Sequence, residues 1–256
     1  MKIQSLLVFF FIPFFAIAQY GDNIRTARPG QAIGAFTLGK NVFQMQTGFN
    51  NTYLRIPGLG ISERKVLSQN TVLRLGISEH FELSSVINWS SRRTDINGSQ
   101  SSIGGISATQ FGARYNFTSN DGLLPTLGLQ YRAFLKLQSE SFRTNDIGSR
   151  FILSTGNKIT DYLNLTTNWI LHFDGFDSNP DFGYVINTSI SLSKKWSTFV
   201  EVFGSFDPLY FHFDTGIGYL VNKDFQLDIS AGYFDVNSAS DFFYDFGMSW
   251  RFDWRK

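Results

Sequence analysis

The chain is predicted to be all-β: a transmembrane antiparallel up-and-down β-barrel of about twelve strands, with both termini periplasmic. Three observations carry this. The N-terminus has the form of an export signal, the rest of the chain alternates apolar and polar residues with period two, and the connections between segments alternate in length.

The N-terminus comes first. Lys2 supplies a positive charge, and Leu6 to Ile17 is apolar except for Pro13. Ala16-Ile17-Ala18 then places small residues where signal peptidase reads them, which predicts a signal peptide over 1–18 and cleavage before Gln19. The alternative is a membrane anchor, but the run falls short of the ~20 residues a spanning helix needs. Residues 19–40 follow as a periplasmic N-terminal segment. It is too short to be read as a plug, although it has the length to cover the mouth of a barrel.

From Asn41 the chain reads as strands. The last segment is the clearest: Phe242, Tyr244, Phe246, Met248, Trp250, Phe252 and Trp254 share one face, while Asp245, Gly247, Ser249, Arg251 and Asp253 share the other. Phe243 breaks the polar face. A strand this apolar on one side and this polar on the other separates lipid from water. The same alternation places segments at 41–50, 66–78, 81–92, 106–118, 125–138, 149–159, 162–174, 182–193, 196–206, 210–222, 225–235 and 242–254. The segment at 149–159 has the weakest pattern. Each is close to the nine to eleven residues that a tilted strand needs to cross a bilayer. A soluble β-protein is the competing architecture.

Short turns are expected at 78–80, 160–161, 194–195 and 222–224, with 118–124 somewhat longer. Between them fall the longer links 51–65, 93–105, 139–148, 175–181 and 236–241. Outer-membrane barrels keep short turns in the periplasm and long loops outside, so a barrel with an even number of strands has both ends of the barrel domain, 41–256, on the periplasmic side. The predicted compartment is the outer membrane of a Gram-negative bacterium. Outer-membrane lipids and the barrel-assembly machinery would be the partners, the latter reading the aromatic C-terminal strand, here followed by Arg255 and Lys256.

Composition excludes other classes. A net charge of +1 gives no case for nucleic acid, and 28 Phe with 17% aromatic residues suits interfacial girdles. Without cysteine there are no disulfides, thiolate metal sites or cysteine nucleophiles. No cofactor motif is present: Gly58-Leu59-Gly60 and Gly104-Gly105 read as turn chemistry. The acidic run Asp174-Gly175-Phe176-Asp177-Ser178-Asn179 is a weak calcium candidate better read as a turn.

Several stretches resemble a bacterial outer-membrane barrel family of transporters assigned to the meta-pathway of phenol degradation. They are Ala27-Arg28-Pro29-Gly30, Leu38-Gly39-Lys40 leading into Phe43 to Phe49, Leu73 to Leu83, and Gly112-Ala113-Arg114-Tyr115. Ala27 stands where that family commonly has an acidic residue. The resemblance implies an outer-membrane barrel that passes small compounds, often aromatic or apolar. It implies no catalytic residues.

The alternation also sorts the inward-facing charges. Arg74, Arg114, Arg132, Lys136 and Arg150 come from strands two to six and form a basic wall. Glu201, Asp214, Asp228 and Asp245 come from strands nine to twelve and form an acidic wall, with Glu82 and Arg251 as exceptions. Facing walls of opposite sign would set a field across the lumen. Alternatively the charges pair and fill a narrow interior. The function read from this is a passive channel or facilitator for a small molecule of unknown identity. The alternative is a structural or surface-interaction barrel with an occluded lumen. A lipid hydrolase is the remoter reading, since it needs a Ser–His pair on the lipid face, and His172 and His212 read as inward-facing.

Overall fold

The computed structural model describes residues 21–119, 124–176, 179–206, 209–236 and 239–255. The expected signal peptide, 1–18, lies outside them. Twelve strands follow in order: β1 (Val42–Ile56), β2 (Ile61–Gly76), β3 (Phe81–Ile96), β4 (Ser99–Thr118), β5 (Thr126–Leu135), β6 (Gly148–Lys158), β7 (Leu163–Phe173), β8 (Asp181–Ser191), β9 (Trp196–Phe206), β10 (Leu209–Asn222), β11 (Phe225–Val236) and β12 (Ala239–Asp253). Each pairs antiparallel with its neighbours in sequence, and β12 closes on β1 from Val42↔Asp253 to Arg55↔Ser240. Closure leaves no strand edge, so the ladder satisfies the backbone without water.

The burial pattern is the inverse of a soluble protein's. Gln44, Gln46, Glu82, Gln130, Asn168, Glu201 and Asp214 are among the most buried side chains, while Phe49, Phe111, Trp169, Phe246 and Trp250 are exposed. A soluble sandwich would bury the second set and hydrate the first. The exposed apolar face needs lipid, which decides the architecture. Aromatic rings gather at both ends of that face. Phe43, Trp250, Phe252 and Trp254 cluster at the end where β1 begins and β12 finishes. Trp169, Tyr184 and Phe206 gather at the opposite end, as do Tyr53 and Tyr244.

Two links expected as long loops are strand apart from a tight turn, and of a third, 236–241, residues 236 and 239–241 are strand. Residues 51–65 form the end of β1, a single 3-10 turn (Pro57–Leu59) and the start of β2. Residues 93–105 join β3 to β4 through Asn97 (φ 51) and Gly98 (φ 86), a left-handed pair of the kind a two-residue hairpin turn requires. Ser, Arg, Thr and Asp occupy both faces here, as in Ser90 to Asp95, so no period-two signal marks these extensions. β5, by contrast, ends at Leu135, three residues before its expected limit of 138. The weak sixth segment is a strand, displaced by one residue from its expected position.

Candidate functional site: the occupied lumen

Residues 21–41 do not merely cover a mouth. They cross the interior as an extended strap, which corrects the expectation that the segment is too short to act as a plug. Such a segment has no sheet to satisfy its backbone, so the inward side chains must do so. Near β11, β12 and β1, Arg251 donates to the carbonyls of Gly21 and Asp22, at 2.9 and 2.7 Å, and Gln44 donates to that of Arg25 at 3.0 Å. On the far wall the Glu201 carboxylate accepts the backbone N–H groups of Gln31 and Ala32, at 2.7 and 2.9 Å. Asn168 of β7 takes both polar groups of Ile33: its amide oxygen accepts the N–H (2.7 Å) and its amide nitrogen donates to the carbonyl (2.8 Å). The strap then passes β4, where Asn116 and Arg114 donate to the carbonyls of Ala35 and Phe36, and reaches Glu82 of β3 through the Leu38 N–H at 3.1 Å.

Arg28 is the strap's principal anchor. Its guanidinium meets Asp228 at 3.0 Å and also pairs with Asp245. The seat is shaped by glycine. Gly48 of β1 and Gly247 of β12 are register partners, and a Cβ on either would overlap the guanidinium. Two residues on, Gly30 (φ +93) lies against Phe199 and Glu201 in a conformation that suits glycine. The Ala-Arg-Pro-Gly stretch that carried the family resemblance is therefore the part of the strap that grips the acidic wall. For Gly48 the atoms nearest to an added Cβ all belong to Arg28. Gly48→Ala is accordingly expected to leave the barrel folded and to displace Arg28, which would show as increased protease sensitivity of the strap in the intact barrel.

The predicted walls divide as follows. Arg74 and Arg114 are buried side chains of the basic group, and Glu82 stands between them. Its carboxylate takes a two-pronged contact from Arg74, 2.9 Å to Nε and 2.7 Å to Nη2, and lies 3.7 Å from Nε of Arg114. Arg132 and Arg150 face inward from β5 and β6 as register partners. Lys136 is not part of the wall: it lies past the end of β5, exposed, and donates to the Asn145 carbonyl. In the acidic group Asp214 is a register partner of Glu201, both fully buried, and Asp228 and Asp245 hold Arg28. Arg74 and Arg114 thus pair with Glu82, and Asp228 and Asp245 with the strap, whereas among the described residues Arg132, Arg150 and Asp214 form no ion pair.

The strap divides the interior. On the side of Gly21 and Arg255 it roofs a cavity of about 770 Å³ whose walls mix hydroxyls and amides, such as Asn164, Thr166 and Gln226, with apolar Phe36, Leu165 and Phe199. On the other side rings and charges face the axis. His172 lies 5.0 Å from the ring of Phe134, and His212 stacks on Phe203 at 5.0 Å and approaches Asp241 at 3.5 Å. Among the described residues no cluster could hold a metal ion. The calcium candidate at 174–179 lies only partly within them, and there Asp174 accepts the Phe176 N–H as a turn residue would.

The fold has solved counterparts. The COG4313 outer membrane channel from Pseudomonas putida F1 superposes with a TM-score of 0.66 at 10% identity, covering 85% of this chain and 98% of that one. The Pseudomonas putida toluene transporter TodX gives 0.54 at 10% identity, covering 93% and 98%. The KdgM porin in complex with disordered oligogalacturonate gives 0.54 at 14% identity, covering 80% and 99%. At these identities the likeness establishes the fold. No curated protein matches the sequence. A family model does match, over residues 26–252, from the strap to the closing strand, and the chain belongs to the family described as "Putative MetA-pathway of phenol degradation".

Proposed function

We propose that this protein is a passive channel for small molecules in the outer membrane, in which the N-terminal strap limits passage. The observation that carries the reading is the strap itself. It spans the lumen from β12 past β7 to β3, yet it is held mainly by side-chain contacts that can be broken without opening the barrel ladder. The structural counterparts include a toluene transporter and a porin solved with an oligosaccharide. The cavity beneath the strap offers both polar groups and apolar surface, Phe36, Leu165 and Phe199 among the latter, to a solute on that side. In this reading the end with the termini and the tight turns faces the periplasm, a signal peptide exports the chain, and assembly machinery reads the closing strand. No enzymatic step is proposed: His172 and His212 are engaged by inward rings, away from the lipid face where a lipid hydrolase would need them.

A second reading is a structural barrel whose lumen stays occluded, with the β3–β4 hairpin as a surface feature; the strap's many contacts favour it. Liposome swelling separates the two. Barrels with and without residues 21–40 are reconstituted and challenged with sugars, amino acids and aromatic acids. The channel reading expects swelling above empty liposomes, larger for the strap-deleted barrel. If neither barrel passes any solute, the structural reading stands.

A further inference from the structure

Lumenal ion pairs are taken up by Arg28, Arg74, Arg114 and Arg251, and among the described residues neither Arg132 nor Arg150 has a carboxylate within ion-pairing distance. The two are register partners on β5 and β6, so like charges face each other across adjacent strands, an arrangement that costs stability unless something offsets it. Both Nε atoms are buried without a hydrogen-bond partner. Among the described residues, Arg132 donates a hydrogen bond only to the Gln110 amide oxygen, at 3.5 Å. The nearest acidic residue along the row is Asp181, separated from Arg150 by His172 on the intervening strand.

Elsewhere in this lumen the same problem is solved by a carboxylate. Glu82 sits between Arg74 and Arg114 and takes a bidentate fork from one and a longer contact from the other. The Arg132–Arg150 pair lies next along the same wall, on the loop side of the strap, where Gly112, the register partner of Arg132, keeps clear both the Tyr131 carbonyl and the Arg132 side chain. Flat apolar surface borders the pair. Phe134 lies 5.3 Å beneath the Arg150 guanidinium, and the His172 ring is 5.0 Å from Phe134. Guanidinium forks match carboxylates in plane, and rings match rings.

We propose that Arg132 and Arg150 form a binding subsite for a small carboxylate with a planar apolar body, of the benzoate class, on the loop-side face of the strap. The solute's carboxylate takes between these two arginines the place that Glu82 takes between Arg74 and Arg114. Its ring packs along Phe134 and His172. This deepens the channel reading by naming a solute class, but it concerns binding and is testable without flux.

Titration calorimetry on the detergent-solubilised barrel tests it, with benzoate, acetate and benzyl alcohol as probes. Benzoate should bind saturably, at least tenfold more weakly in Arg132→Gln and in Arg150→Gln, and more tightly than acetate. Benzyl alcohol, with the ring and no charge, should not compete. Because each substitution relieves a like-charge contact, both variants should fold and melt no lower than the parent without ligand, while losing the stabilisation that benzoate confers on the parent. Benzoate binding unchanged by both substitutions would overturn the subsite, as would benzyl alcohol binding equally well. Swelling assays that show flux alongside failed benzoate binding would sink the subsite and leave the channel intact.

Discussion

Replacing Arg28 with alanine is expected to convert the barrel from rare to frequent opening in single-channel recordings. The guanidinium is the strap's cation against the acidic wall, and its removal leaves Asp228, whose side chain is fully buried, facing Asp245 with no cation. Breaking a buried ion pair from one side costs about 3–5 kcal/mol. Each remaining contact between strap backbone and wall contributes about 0.5–1.5 kcal/mol, more where Glu201 or Glu82 accepts. Arg28 is thus the largest single term holding the strap. The barrel ladder does not include it, so the cost falls on strap docking: the wall recovers hydration by releasing the strap. Heat-modifiability on gels should therefore match the parent. The triple variant Arg28→Ala, Asp228→Asn, Asp245→Asn should regain much of the closed behaviour, since neutral partners no longer demand a cation. If Arg28→Ala records as the parent does, the strap is not held by this latch.

The barrel was readable because a lipid-facing strand must alternate. β7, β9 and β11 fall within a residue or so of the limits that alternation alone assigns. The pattern failed where the physical demand lapses. Beyond the apolar band both faces of β3 and β4 are wet, so their extension carries no periodicity, although Asn97-Gly98 was a legible hairpin signal inside the stretch assigned to a loop. The strap was illegible for a different reason. Ile33, Ala35, Phe36 and Leu38 are held through main-chain groups, and main-chain hydrogen bonds leave no mark on residue choice. What does show is on the receiving side: Glu201, which the alternation turns inward without revealing what it holds, and the buried amides Gln44, Asn116 and Asn168. Arg28 was visible only as a piece of family resemblance. Its mates, Asp228 and Asp245, read as part of an acidic wall that either sets a field across the lumen or is paired, and the strap supplies the cation that pairs them.

Glu82 is an exception to the charge pattern of the basic wall, yet its loss is expected to cost the barrel most. Its carboxylate is buried between Arg74 and Arg114 and also accepts the Leu38 N–H. Glu82→Ala leaves two buried guanidiniums side by side with no anion, a penalty of about 3–5 kcal/mol that falls on β2, β3 and β4 themselves, because all three charged groups belong to the ladder. The expected result is a clearly lower unfolding midpoint in heat-modifiability or urea titration, together with a looser strap. Glu82→Gln should fall between, since it keeps an acceptor for Leu38 and Arg74 but not the charge. Adding Arg114→Gln to Glu82→Gln should recover most of the loss by removing the excess cation. The contrast is Glu63 with Lys65 at 3.3 Å, where the side chains are 42% and 49% exposed. Water and salt screen such a pair to at most about 1 kcal/mol, so Glu63→Ala should leave the midpoint where it is. Equal midpoints for Glu82→Ala and Glu63→Ala would mean that the buried triad is hydrated after all and that the basic wall is a wet surface rather than a packed one.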